Sequence, residues 1–127
     1  MGNIIDSIAK ADHAMATMTA NAERVRTVAT RLLAEHAASL PELLAVQIEA
    51  SAEKAYVGLQ PYTAEDARLW ADALGIEVTV SEEHTDHGDY LRACAGLVVD
   101  GVQVRVGSSE WTSPSELAAR SAQAVAA

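Results

Sequence analysis

The chain has 127 residues, enough for one compact domain, and half of them are hydrophobic, which suffices for a core. It lacks Phe and has a single Cys, so the core must be aliphatic and no intramolecular disulfide can form. The formal charge of −9 argues against nucleic acid and anionic membranes as partners, because both bind clusters of Lys and Arg. We expect a cytoplasmic protein, since no signal-peptide pattern and no stretch of transmembrane length is present.

The first part of the chain has the pattern of a long helix. Residues 3–39 contain neither Gly nor Pro, and their less polar positions recur at alternating spacings of four and three. These positions are Ile4, Ile8, Ala11, Met15, Met18, Ala22, Val25, Ala29, Leu32 and His36. Such a heptad stripe predicts a helix that packs against a partner helix. A continuous helix would be roughly 55 Å long, more than a small domain covers.

An alternative is a helical hairpin. Residues 17–21 are poor helix formers, and Thr19 or Asn21 is a suitable cap for a second helix. In either case the helical segment ends before Pro41, because the residue before a proline avoids helical dihedrals. The sequence therefore divides into an N-terminal helical segment, residues 1–40, and a small α+β domain, residues 41–127.

The second segment has the pattern of a small sheet with two helices. Alternation predicts strands at 44–49, 55–60 and 76–80, and Thr63 caps a helix at about 64–74 that Gly75 ends. Asp100-Gly101 predicts a tight turn that pairs Val99 with Val102 and Leu97 with Val104. Residues 81–89 are expected to form a polar loop, residues 107–109 to leave the sheet, and Trp111 to plug an edge of the core.

Ser113-Pro114 opens a last helix. The predicted fold class is α+β: a long N-terminal helix or helical hairpin, then a small antiparallel or mixed sheet of four or five strands with helices on one face. The element order is α-β(β)αβββα. On the outer sheet face, Cys94, Gly96 and Val98 form a small smooth patch among charges, where a solvated surface is the usual outcome and a second subunit the alternative.

Two groups of residues have side chains suited to metal binding or catalysis, and each also has a purely structural interpretation. His84 and His87, with Asp86 and Asp89, have the residue types of a divalent-metal site, although two His in an acidic turn are more often a solvated loop. Cys94 is a possible nucleophile, although a lone Cys in a strand is usually a packing residue. We therefore predict no catalytic residue, no cofactor and no metal.

The heptad stripe leads to the predicted function, a non-enzymatic assembly or interaction module that binds itself or another protein through the N-terminal helix. The predicted interface residues are Ile4, Ile8, Met15, Met18, Val25 and Leu32. The alternative is an acidic phage or mobile-element inhibitor of a host protein, because residues 43–127 hold thirteen of the eighteen acidic side chains. A small metal-dependent or thiol enzyme is the third hypothesis.

Overall fold

The computed structural model describes residues 3–126, and its elements follow the order α-β-β-α-β-β-β-α. The elements are α1 (Asn3–His36), β1 (Leu43–Ala50), β2 (Ala55–Pro61), α2 (Ala64–Ala73), β3 (Thr79–Thr85), β4 (Gly88–Val99), β5 (Val102–Thr112) and α3 (Pro114–Ala126). The five strands form one mixed sheet. The predicted fold class and element order are confirmed.

Helix α1 is continuous, so the helical-hairpin alternative is wrong. The weak segment at 17–21 stays helical, and the hydroxyls of Thr17 and Thr19 donate hydrogen bonds to the carbonyls of His13 and Met15. These threonines therefore satisfy their polar groups one turn back and do not cap a new helix. The helix ends at His36, and a turn leads to Pro41.

The sheet has the strand order β1-β2-β5-β4-β3, which leaves β1 and β3 at the edges. All neighbouring pairs are antiparallel except β2 and β5, which run parallel. The β4–β5 hairpin has the predicted register, with Val99 opposite Val102. Asp100 and Gly101 both have positive φ, 50° and 78°, as a tight primed turn requires.

Three sequence-based expectations about the hairpins are wrong. Strand β3 begins at Thr79 and runs through the expected polar loop to Thr85, so the turn is reduced to the residues between Thr85 and Gly88. Strand β5 does not leave the sheet at Gly107 but pairs with β4 as far as Thr112. The ladder continues because backbone pairing with β4 does not depend on apolar side chains.

The third expectation that is wrong places Trp111 at an edge of the core. Its side chain instead lies on the exposed face of the sheet and is 55% accessible. Its indole N–H donates to the carbonyl of His87 at 3.0 Å. Gly88 has φ 124° beside it, and a Cβ there would lie 2.5 Å from the indole nitrogen. The tryptophan therefore packs against the β3–β4 turn and is not a core residue.

The core lies between one face of the sheet and the helices α1 and α2. Its buried members are Val25, Val28, Ala29, Leu32, Ala55, Val57, Leu59, Ala67, Trp70, Ala93, Val102, Val104 and Val106. The indole N–H of Trp70 donates to the carbonyl of Pro41 at 2.9 Å, which ties α2 to the segment after α1. The second half of α1 thus belongs to the same core as the sheet.

Asn21 marks the point where α1 reaches the end of the sheet. It is 6% exposed, and its side-chain amide donates to the carbonyl of Ser51 in the β1–β2 turn at 2.7 Å. Its carbonyl oxygen accepts a hydrogen bond from the guanidinium of Arg24. A buried amide with both ends satisfied in this way fixes the position of the helix on the sheet.

Replacing Asn21 with alanine should lower the free energy of unfolding by about 1–2 kcal/mol, because the Ser51 carbonyl loses its buried partner. Thr19→Ala is the matched control: this exposed residue of the same helix should change stability by less than about 0.5 kcal/mol. Urea unfolding followed by circular dichroism measures both values. Equal effects from the two substitutions would contradict this role of Asn21.

Candidate interaction site

Helix α1 has two halves with different surroundings. The docked half, residues 21–36, lies on the sheet and buries Asn21, Val25, Val28, Ala29 and Leu32. The projecting half, residues 3–20, extends past the end of the sheet that carries the β1–β2 and β4–β5 turns. It is roughly 27 Å long at 1.5 Å per residue. Every side chain of the projecting half is exposed except those of Ala14 and Thr17, which are partly buried.

The projecting half carries an uncovered apolar stripe. Its large members are Ile4 (75% exposed), Ile5 (72%), Ile8 (57%), Met15 (62%) and Met18 (44%). The seam positions 4, 8, 11, 15 and 18 include no charged residue, while Asp6 and Lys10 lie on other sides of the helix. Large aliphatic side chains gathered on one exposed stripe are typical of an interaction surface and unusual for a solvated helix.

The predicted interface residues fall into two groups. Ile4, Ile8, Met15 and Met18 lie together on the projecting half, as the heptad spacing predicts. Val25 (0% exposed) and Leu32 (4% exposed) pack into the chain's own core, so they are not part of a free seam. The reason is that the sheet itself covers the docked half of the stripe, where the heptad pattern predicts a partner helix.

A second exposed apolar group lies on strand β1, at one edge of the sheet. Leu44, Val46 and Ile48 are 53%, 36% and 57% exposed. The opposite edge strand, β3, carries Glu82 and Glu83, and charges on an edge discourage pairing with another chain. Sequence reasoning missed this difference, because β1 becomes an edge strand only through the parallel pairing of β2 with β5.

The residues considered for a metal site form one close pair and no larger cluster. Nδ1 of His84 donates to a carboxylate oxygen of Asp89 at 2.9 Å across the β3–β4 ladder. Asp86 and His87 form the turn. Within residues 3–126, no three His, Cys, Asp or Glu side chains come together as ligands for a metal ion. Cys94 is partly buried on the outer sheet face opposite Gly107.

Comparisons with protein-family models, curated proteins and solved structures find no match to this chain. Among residues 3–126, no helix has both the length and the hydrophobicity needed to cross a bilayer. The function is therefore inferred from the fold and from the surfaces that it leaves exposed.

The His84–Asp89 pair makes a pH-dependent prediction. The hydrogen bond and the negative charge of Asp89 raise the pKa of His84 above its ordinary value, and Glu82 adds a smaller effect. Because the folded-state pKa is raised, the stabilisation by this pair is complete below the unfolded pKa of about 6.5 and is lost as pH rises through the folded pKa.

An NMR titration of the histidine ring protons should therefore give His84 a pKa above the ordinary value for histidine, and Asp89→Asn should remove most of that increase. A His84 pKa that does not respond to Asp89→Asn would contradict the pairing.

Proposed function

We propose that this protein is an assembly module in which two copies associate through the projecting halves of α1. The observation that carries the proposal is the uncovered stripe of Ile4, Ile8, Met15 and Met18, which continues a stripe already used for packing in the docked half. Burial of large aliphatic side chains stabilises association in proportion to the area removed from water.

The chemistry of the stripe favours a second copy as the partner. No charged group on the seam positions selects a different partner by charge complementarity. An aliphatic stripe is self-complementary, and a twofold symmetric pair buries the same side chains on both copies. Ile4 and Ile8 of one copy would then pack against Met15 and Met18 of the other, and methionine adapts to the irregular surface of a partner.

The fold favours an antiparallel arrangement of the two helices. From residue 21 onward each stripe faces its own sheet, so a parallel partner helix would run into the space that this sheet occupies. In an antiparallel pair the two sheets lie at opposite ends of the helical contact, and only the projecting halves overlap. This overlap is little more than two heptads, which suits a weak, concentration-dependent dimer.

Ile8→Lys should abolish dimerisation, because a lysine on the seam must lose its hydration when the helices pair. Ile48→Lys is a matched control, since Ile48 on the β1 edge has the same exposure of 57% as Ile8. Light scattering across a range of protein concentrations should show a rise toward twice the chain mass for the wild type and Ile48→Lys. It should show the mass of one chain for Ile8→Lys.

Loss of the dimer in Ile48→Lys with retention in Ile8→Lys would assign association to the β1 edge and overturn the proposal. A wild-type protein that stays monomeric throughout would also overturn it. Circular dichroism of both variants checks that the fold is intact.

The antiparallel arrangement predicts a second result. Asn3 and Lys10 lie one heptad apart on the same outward side of the helix. Each is replaced by cysteine in a separate variant and spin-labelled, with Cys94 replaced by serine in both variants. In an antiparallel dimer the two labels at residue 3 should be farther apart than those at residue 10, by up to about 20 Å along the axis. Pulsed electron resonance measures both distances, and equal values would indicate a parallel pair.

A further inference from the structure

The face of the sheet opposite the helices carries the second unusual surface of this molecule. Arg105 stands near its centre on β5, and both of its cross-strand neighbours are glycines, Gly58 on β2 and Gly96 on β4. Gly107, the next residue on the same face of β5, lies opposite Cys94. Gly96 and Gly107 leave open space beside the side chain of Arg105, whereas the ring of Tyr56 lies over Gly58.

Two hollows of about 270 Å³ and about 440 Å³ flank Arg105, and both are lined by Tyr56, Cys94 and Arg105. The smaller one is also lined by Gln47, Gln60, Arg92, Gly107 and Ser109. The larger one is also lined by Lys54, Gly96, Val98 and Gln103. Together they have the dimensions of a site for a small molecule.

The charge of these hollows is opposite to that of the protein. Residues 43–127 have five basic side chains against thirteen acidic ones, yet three of the five, Lys54, Arg92 and Arg105, line the hollows. No carboxylate among the described residues lines either hollow. Like charges gathered in this way raise the local concentration of a ligand of opposite charge.

The three cations differ in whether they are already neutralised. Lys54 pairs with Glu49 at 3.2 Å, and Arg92 pairs with Glu83. Arg105 has no carboxylate within 4.0 Å among residues 3–126, and it is the cation shared by both hollows. A guanidinium offers a planar set of donors that fits a carboxylate or a phosphate group.

We propose that the open face of the sheet binds a small organic anion whose carboxylate or phosphate group pairs with the guanidinium of Arg105. Tyr56 and the side-chain amides of Gln60 and Gln103 supply hydrogen-bond donors around that group. Gly96 and Gly107 leave the space that the anion occupies. This site is independent of the α1 stripe, because it lies on the opposite side of the sheet.

The test uses the full-length protein, labelled with ¹⁵N and kept reduced, titrated separately with inorganic phosphate and with succinate. Sodium chloride at matched ionic strength is the reference. At least one of the two anions should cause saturable shifts in the backbone amide signals of Gly58, Gly96 and Gly107 that the chloride does not cause. Saturation by phosphate alone or by succinate alone identifies the acidic group that the site prefers.

Two variants separate the site from general surface charge. Arg105→Gln should weaken binding by about tenfold or more, whereas Arg26→Gln, which removes an exposed arginine from α1, should leave it unchanged. Gly96→Val keeps every charge but fills the larger hollow. A Cβ at Gly96 meets nothing closer than the Val104 carbonyl at 3.5 Å, so this variant should fold normally and bind the anion more weakly.

The proposal is overturned if neither anion gives saturable shifts beyond those of chloride. It is also overturned if Arg105→Gln binds as tightly as the wild type, or if Arg26→Gln weakens binding as much as Arg105→Gln does.

Discussion

The apolar stripe of α1 is longer than the sheet that covers it, and the rest of the structure depends on this mismatch. A helix of 34 residues spans roughly 50 Å, and only its second half lies over the strands. Val25 and Leu32 are therefore core residues, while Ile4 and Met18, at equivalent positions of the same heptad repeat, remain in solvent. The same heptad stripe therefore packs against the chain's own sheet in the docked half of α1, and it remains exposed to solvent in the projecting half.

Asn21 separates these two roles physically. A polar residue at the border of an apolar stripe would normally weaken packing, but here its amide bonds to the β1–β2 turn and to Arg24. The helix lies on the sheet from Asn21 to its C-terminal end, whereas residues 3–20 extend beyond the sheet. The protein therefore presents two separate surfaces: the apolar stripe of the projecting half and, on the far side of the sheet, a polar face where Arg105 pairs with no carboxylate of residues 3–126.

Local patterns predicted those parts of the fold that depend on neighbouring residues. Asp100-Gly101 specified the β4–β5 register, because a two-residue turn leaves one possible pairing. The four-three spacing of apolar residues specified one long helix face, although it did not reveal that the sheet covers half of it. Polar residues at Ser81 and Ser108 predict strand ends that the structure does not have, since β3 and β5 continue through these residues by backbone pairing with β4.

Long-range pairing accounts for what the sequence did not reveal. The parallel contact between β2 and β5 puts Gly58 beside Arg105 and leaves β1 at the edge, and neither result follows from the residues on one strand alone. Trp111 was misplaced for a similar reason. Its position on the open face depends on β5 extending to Thr112, opposite Asp89.

Amide hydrogen exchange at low and high protein concentration tests the central claim most directly, because it reports on each half of α1 separately. The account predicts that amides of residues 7–18 become more protected as concentration rises, while those of residues 25–32 stay equally protected. Protection of residues 7–18 that does not change with concentration would contradict self-association through the projecting half.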